Sequence, residues 1–215
     1  MKLLLSPAQT QAAIAALAAD DERHGQVYLF DTDKLDLLSQ GLILRLRQGA
    51  GNDLMVKVRP QAGKQFSDPS AGQEKYKCEV DVAGGAGQPS YSITIPLTGT
   101  QLPSTGREVF ALLSPAQKKL LEQAHAAIDW SGVKRLAEIQ STGWQVKGRG
   151  NFRKLSLELW QWRGGQVLEL STRAKAKQGS EAYSGLQRLA QQKDLALEST
   201  QQLKTTLVLQ SVTTR

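Results

Sequence analysis

The sequence predicts an α+β fold in which antiparallel strands close into a barrel with a charged lumen, and helices pack on the outer face. Three observations support this prediction. Six segments alternate apolar and polar residues, as half-buried strands do. The polar positions of the first strands are mostly basic. Other segments carry signals for the start of a helix. Because like charges opposite one another destabilise a sheet, we expect an anion among these basic residues.

The first two alternating segments, 41–48 and 53–60, are rich in basic side chains. Leucine and valine occupy one parity of each segment, and the other parity holds Arg45, Arg47, Lys57 and Arg59. A strand face that meets solvent would carry a mixture of Lys, Glu, Thr, Gln and Ser. The concentration of one charge therefore favours an enclosed face that binds an anion.

Four further segments alternate in the same way and bring in carboxylates. Their apolar parity is expected to face the helices, and their polar parity is expected to face the lumen. We expect a cationic side of the lumen that binds phosphates and a carboxylate side that binds a divalent metal. The segments are 74–82, 154–159, 168–173 and 203–207, and their polar positions include Lys77, Glu79, Asp81, Lys154, Glu158, Glu169 and Lys204.

Helices are predicted from capping signals and apolar spacing. The tetrapeptide Ser-Pro-Ala-Gln occurs at 6–9 and again at 114–117, and it combines an N-cap serine, a first-turn proline and a capping-box glutamine. The segment 96–109 is rich in Thr, Pro, Ser and Gly, and we interpret it as a linker within a single domain that covers residues 1–215. The predicted helices cover about 6–21, 114–128 and 181–193, with a short helical turn over 33–39.

Composition excludes several classes of protein. The chain has 215 residues, of which 40% are hydrophobic, and no segment approaches the roughly 18 apolar residues of a membrane-spanning helix. Cys78 is the only cysteine, which excludes an internal disulfide. The 27 basic and 20 acidic residues give a net charge of +7 and indicate a polyanionic partner. No basic run exceeds two residues, so we do not expect nucleic acid as the partner. We also expect no membrane partner and a cytoplasmic location.

Residues 27–47 resemble a segment of the CYTH or triphosphate tunnel metalloenzyme superfamily, which includes inorganic triphosphatases, thiamine triphosphatases and class IV adenylyl cyclases. The run VYLFDTD and the later run LLSQGLILRLR are similar to the family pattern YFDTxD…L…G..LRxR. The resemblance covers nearly the whole chain and is most specific over residues 27–59. Further matches to the order of the family occur at Lys57, at the basic-x-acidic strand 77–81, at Glu169 and at Lys204.

The resemblance implies a closed barrel of eight antiparallel strands that takes a small-molecule triphosphate into its lumen. Inorganic triphosphate is the first expectation, with a nucleotide or thiamine triphosphate as the other possible substrates. The implied activity is phosphoanhydride hydrolysis with Mg²⁺ or Mn²⁺ as the cofactor. The implied catalytic residues are Lys2, Lys57 and Glu79. Substrate binding is implied for Arg45, Arg47, Arg59, Lys77, Lys154 (with Arg153 as its alternative) and Lys204, and metal binding for Glu79, Asp81 and Glu169. Glu158 is added as a fourth metal ligand on strand parity alone.

Two departures from the family pattern bear on activity. The family opens with an E-x-E-x-K strand, of which this chain has only a match to the lysine, at Lys2. Either a start site placed a few residues too late or a true loss of metal ligands would explain the missing glutamates. Ser171 replaces the second carboxylate of a later E-x-E pair, and serine supplies no negative charge to a hard cation.

These departures leave three hypotheses open. The first is a metal-dependent triphosphatase, and the second is a catalytically impaired module that binds polyphosphate or a nucleotide without turnover. The third is a nucleic-acid binder that uses the outer surface, which predicts a steep dependence of affinity on salt.

Overall fold

The computed structural model describes residues 1–60, 66–98, 102–147, 152 and 154–213. These residues form nine strands and six α-helices. The strands are β1 (Lys2–Leu5), β2 (Ala19–Asp31), β3 (Leu42–Gly49), β4 (Asp53–Val58), β5 (Lys75–Ala83), β6 (Ala86–Pro96), β7 (Lys134–Val146), β8 (Leu155–Trp162) and β9 (Gly165–Thr172). The helices are α1 (Thr10–Ala16), α2 (Asp36–Ser39), α3 (Gly106–Leu112), α4 (Pro115–Gln123), α5 (Gly179–Gln192) and α6 (Lys204–Thr213).

The strands form a single sheet in the order β1-β9-β8-β7-β2-β3-β4-β6-β5. Its two end strands are joined by an ion pair in which Lys2 Nζ of β1 lies 3.1 Å from Asp81 Oδ1 of β5, so the barrel is nearly closed. The predicted α+β class and the antiparallel barrel are confirmed. The count of eight strands was wrong by one for the described residues. Strands β2 and β6, which are buried over runs of five and four consecutive residues, were not among the segments with an alternating pattern.

The chain divides into two compact units, and each unit is assembled from separate segments. The first unit comprises Met1–Gly25, Val80–Gly87 and Ile139–Leu207. The second unit comprises Gln26–Glu79, Gln88–Glu138 and Val208–Arg215. Among the described residues, no helix is both long enough and apolar enough to cross a membrane.

In the first unit, one face of β1, β8 and β9 packs against helices α1 and α5. Antiparallel register places Leu157 of β8 opposite Leu170 of β9, and Leu3 of β1 opposite the same Leu170. The alternation of strand side chains therefore sends Glu158 and Glu169 to the other face, as predicted. The core of this unit includes Leu3, Leu5, Ala13, Leu17, Leu157, Leu168, Leu170, Leu186 and Ala190.

In the second unit, β3 and β4 form a hairpin whose apolar face packs against α3 and α4. Leu44 lies opposite Val56, and Leu46 lies opposite Leu54. The basic parity of both strands therefore points away from the helices, which confirms the assignment of strand faces made from the sequence. The core of this unit includes Leu42, Leu44, Leu46, Leu54, Val56, Val58, Val109, Leu113, Leu120 and Leu121.

The two copies of Ser-Pro-Ala-Gln have different structures. The copy at 114–117 forms the complete capping box of α4, in which Ser114 Oγ accepts from Gln117 N and Gln117 Oε1 accepts from Ser114 N. The capping box expected at 6–9 is wrong, because this copy forms a short 3-10 helix with no side-chain cap before α1. Helix α1 also ends well before residue 21, since Ala18 takes a positive φ of 48° and β2 begins at Ala19.

Helix α4 is likewise shorter than predicted, and α5 agrees with its prediction. Helix α4 ends at Gln123 instead of near residue 128, and His125 takes a positive φ of 52° just beyond it. The helix predicted over 181–193 is confirmed as α5, Gly179–Gln192.

Three other interpretations of the sequence are corrected. The segment 96–109 is not entirely a linker, because α3 begins within it on a capping box formed by Thr105 and Glu108. Segment 203–207 begins helix α6 and is not a strand. Leucines four residues apart suit both the period of a strand and that of a helix, so five residues could not distinguish the two. On β5, the apolar parity is only partly covered, since Cys78 is exposed and Val80 is 55% exposed.

Replacing Gln117 with alanine is expected to lower the free energy of unfolding by about 2–4 kcal/mol. Gln117 is fully buried, and its Nε2 donates to the carbonyls of Leu54 at 2.9 Å and Ile93 at 3.2 Å. The substitution would remove both of these bonds and the bond from Ser114 N to Gln117 Oε1, which is one half of the capping box of α4. Urea unfolding of the whole chain would measure the loss.

Gln9→Ala is the matched control, because Gln9 ends the other copy of the same tetrapeptide. Its Oε1 accepts from Ala196 N at 2.7 Å in an exposed position, where water can replace it. We expect a loss below about 1 kcal/mol. Equal losses at the two positions would contradict the role given to the buried bonds of Gln117.

Candidate functional site

Four cationic side chains of the second unit form a surface that we call the basic face, comprising Arg45, Arg47, Lys57 and Arg59. Lys57 and Arg59 are only 9% and 7% exposed, which is unusual for charged residues. Arg59 directly follows β4, and its backbone N donates to Gly41 O at 2.7 Å. Gly41 permits this approach, because it has a φ of +74° and a Cβ there would lie 2.2 Å from Arg59 O.

Asp53 supplies a carboxylate at the edge of the basic face and orients two of its arginines. Nε of Arg47 lies 3.1 Å from both carboxylate oxygens of Asp53, and the Arg47 guanidinium donates a second time through Nη2. Nη2 of Arg45 lies 3.7 Å from Asp53 Oδ1. The basic face thus combines four cationic side chains with the Asp53 carboxylate at its edge.

The sequence analysis did not identify Asp53 as part of the site. A signal for it was available in the hairpin. Arg47 and Asp53 flank the turn between β3 and β4, and residues that flank such a turn face one another across the two strands. An arginine opposite an aspartate could therefore have been expected as an ion pair.

Three other residues predicted to bind substrate or metal lie on or beside strands of their own unit. Lys77 and Glu79 of β5 belong to the second unit and are half-buried. Lys154 of the first unit is exposed and precedes β8, and the alternative residue Arg153 lies outside the described residues. The roles of these three side chains stay predictions.

The first unit brings two of the predicted metal ligands together around one lysine, and we call this group the Lys204 cluster. Glu158 and Glu169 lie directly opposite one another on β8 and β9. Lys204 Nζ donates to Glu158 Oε2 and lies 3.2 Å from Glu169 Oε1. The same ammonium lies 4.3 Å from the centre of the Trp160 ring. The cluster comprises Ser141, Glu158, Trp160, Glu169 and Lys204.

Trp160 and Ser141 complete the cluster, and the sequence analysis did not assign either of them to the site. Trp160 Nε1 and Ser141 Oγ each donate to Glu158 Oε1 at 2.8 Å. Trp160 lies two residues from Glu158 on the same strand face, and Ser141 lies opposite Trp160 on β7. The spacing of Trp160 from Glu158 was visible in the sequence, whereas the pairing of β7 with β8 was not.

The Lys204 cluster stabilises the charged forms of Glu158 and Lys204. Burial raises the pKa of Glu158, but Lys204 and the hydrogen bonds from Trp160 and Ser141 outweigh this effect and lower the pKa to about 2. Burial lowers the pKa of Lys204, but the two carboxylates outweigh it, so the pKa is raised above its ordinary value. Lys204, for which the family resemblance implied phosphate binding, is therefore a protonated partner of the ionised Glu158 here and also contacts the carboxyl group of Glu169.

Some features of the first unit suit a divalent metal. Glu169 is only 4% exposed, and its Oε2 has no hydrogen-bond partner among the described residues. Mg²⁺ is commonly held by one or two carboxylates together with water and phosphate oxygens, a donor set to which Glu158 and Glu169 could contribute. The chemistry of these two residues therefore suits part of a divalent-metal site.

Other features limit the metal site. Asp81 is paired with Lys2, and Ser171 Oγ lies 3.1 Å from Ser156 Oγ. Within the part of the chain that the structure describes, no three residues of the types His, Cys, Asp and Glu are grouped so that they could hold a metal ion. A complete cage of protein ligands is thus not present in that part.

Comparison with known proteins identifies the fold. No protein-family model matches this sequence, and no curated protein matches it. HpAC1 from Hippeastrum, named as an adenylyl cyclase and described as having a dominant triphosphatase activity, has a similar structure with a TM-score of 0.64 and 18% identity. The similarity covers 96% of this chain and 92% of HpAC1.

A second similar structure supports the same conclusion. A protein from Bacillus halodurans that bears the name of an adenylate cyclase has a TM-score of 0.62 and 16% identity, over 96% of this chain and 94% of its own. Both matches extend over nearly the whole of each chain, as did the resemblance seen in the sequence. The chain therefore shares the fold of these two proteins over nearly its whole length, in agreement with the fold implied by the resemblance of residues 27–59.

Proposed function

We propose that this protein binds a triphosphate, with inorganic triphosphate as the first candidate, on the basic face and hydrolyses it with Mg²⁺ or Mn²⁺. The observation that carries the proposal is the burial of Lys57 and Arg59 within a group of four cations. Cations sheltered from water interact more strongly with an anion than exposed ones. An arginine can present paired donors to phosphate oxygens, and a lysine acts as a point charge.

In the proposed reaction, water attacks a terminal phosphorus and one P–O–P bond breaks, which gives orthophosphate, pyrophosphate and a proton. Arg45 and Arg47, oriented by Asp53, would hold phosphate oxygens, and Lys57 would stabilise the charge that develops on the leaving oxygen. The bound metal would supply Lewis-acid polarisation of the phosphoryl group and orientation of the attacking water. Glu158 and Glu169 are the proposed metal ligands, while Lys2 and Glu79 keep their proposed catalytic roles and Asp81 its proposed metal-binding role.

A second candidate function is binding of a triphosphate without turnover. The Lys204 cluster favours it, because the two carboxylates proposed to hold the metal are already neutralised in part by a lysine. The serine at position 171 also lacks the charge of the carboxylate that is usual in the family. Such a module would bind triphosphate in the absence of metal and release no phosphate.

Two measurements on the same preparation separate the two candidates. Calorimetry with inorganic triphosphate in EDTA measures binding, and release of orthophosphate from triphosphate measures turnover with Mg²⁺, with Mn²⁺ and with EDTA. We expect binding in EDTA and release only with metal. Binding with no release under any condition would support the second candidate, and absence of binding in EDTA together with no release under any condition would contradict both.

A further inference from the structure

The pairing of Glu158 with Glu169 needs a cation nearby. The two carboxylates face one another across β8 and β9, and like charges in this position destabilise a sheet. The Lys204 side chain, which is 10% exposed, contacts both of them, and Glu169 is still more deeply buried. Lys204 therefore occupies the place where a compensating cation is required.

The protein fixes Lys204 in this place from two directions. Gln201, three residues earlier, accepts a hydrogen bond from Leu4 N at 2.9 Å and donates to Leu4 O at 2.7 Å, which fastens the chain before α6 to β1. The Trp160 ring lies against the ammonium and strengthens its position by a cation–π contact. A cation attached in this way has a high effective concentration at the carboxylates, and a free ion must compete with it.

Lys204 does not compensate the pair completely. One ammonium faces two carboxylates, and Oε2 of Glu169 lacks a hydrogen-bond partner among the described residues. A divalent ion would carry the charge that matches the pair, but the ammonium lies between the oxygens that the ion would need. The arrangement is thus one of competition between a tethered monovalent cation and a free divalent one.

We infer that Lys204 is a built-in cation that excludes divalent metal from the Glu158–Glu169 pair, and that metal binds there only when the ammonium is displaced. This inference deepens the proposed function, because it names how the metal step of that function would be controlled. It can be tested without triphosphate and without hydrolysis, so its failure is distinguishable from failure of the proposed function.

Lys204→Met is the informative variant, because methionine keeps much of the length of the side chain and removes its charge. Calorimetry with MnCl₂ measures affinity, and luminescence of Tb³⁺ excited through tryptophan reports an ion close to Trp160, which is bonded to Glu158. We expect Mn²⁺ to bind the variant at least about tenfold more tightly than the wild type, with a stronger Tb³⁺ signal. Mn²⁺ is also expected to raise the melting temperature of the variant by roughly 5–10 °C more than that of the wild type.

Three further variants decide whether the effect belongs to this pair. Lys147→Met removes another lysine of the first unit that pairs with a carboxylate, Asp20, in an exposed position, and it should leave Mn²⁺ affinity unchanged. Lys204→Arg keeps the charge and should exclude Mn²⁺ as the wild type does. The double variant Glu169→Gln with Lys204→Met should lose the gained affinity.

Several outcomes would overturn the inference. They are Mn²⁺ binding to Lys204→Met no more tightly than to the wild type, an equal gain in Lys147→Met, and retention of the gain in the double variant. A Lys204→Met protein that folds neither with nor without Mn²⁺ would also overturn it, since a metal that fits the pair should restore the missing charge.

Discussion

Lys57→Met is expected to weaken binding of inorganic triphosphate by roughly 10- to 100-fold, the loss of one strong charge-assisted hydrogen bond. Lys57 is buried at 9% exposure in β4, between Ile43 of β3 and Ser92 of β6 in the register of the sheet. Methionine preserves the packing of the apolar part of the side chain, so the change removes mainly the charge. Calorimetry in EDTA measures the loss without a contribution from metal.

Lys119→Met is the matched control, because it removes the same charge from the same unit. Lys119 is exposed on α4, the helix that packs on the apolar face of the hairpin, and solvent ions screen its charge. We expect its affinity for triphosphate to stay within about twofold of the wild type. Equal losses in the two variants would show that the net charge of the protein attracts the anion, and the basic face would not be the site.

The β3–β4 hairpin was predictable because its residues obey a rule that acts locally. One face of each strand must enter the core and the other must not, so the period of two fixes which side chains lie together. Leu44 and Leu46 reach the helices, and Arg45 and Arg47 are therefore forced to the opposite side. The alternation of Glu158 with Leu157, and of Glu169 with Leu170, was predictable for the same reason.

The partners of a side chain were less predictable than its direction. Glu158 and Lys204 are 46 positions apart in the sequence, and no local pattern showed that they meet. The two Ser-Pro-Ala-Gln copies make the same point. Gln117 donates to the buried carbonyl of Leu54, whereas Gln9 accepts from the exposed Ala196 N. Identical local sequences therefore take different structures because their tertiary contacts differ. Such contacts decide whether a carboxylate is open to a metal or held by a lysine.

Glu158→Gln is expected to lower the free energy of unfolding at neutral pH by about 2–3 kcal/mol. The amide can still accept hydrogen bonds from Trp160 and Ser141, but it leaves the buried ammonium of Lys204 with one carboxylate instead of two. This expected loss is at the low end of the losses seen when a buried ion pair is broken, because the Glu158 side chain is 33% exposed and partly screened by water. Urea unfolding of wild type and variant at pH 7 would measure the difference.

The pH dependence of this difference tests its cause. Folding lowers the pKa of Glu158 from 4.5 to about 2, so its contribution to stability is complete above about pH 4.5 and is lost as the pH falls towards 2. The unfolding free energies of wild type and Glu158→Gln should therefore converge over this range. Glu22→Gln is the control, since Glu22 also accepts a hydrogen bond from a tryptophan, Trp144, but is 52% exposed. We expect this substitution to lower the free energy of unfolding by less than about 1 kcal/mol. A difference at Glu158 that persists unchanged to pH 2 would show that the ion pair with Lys204 is not its source.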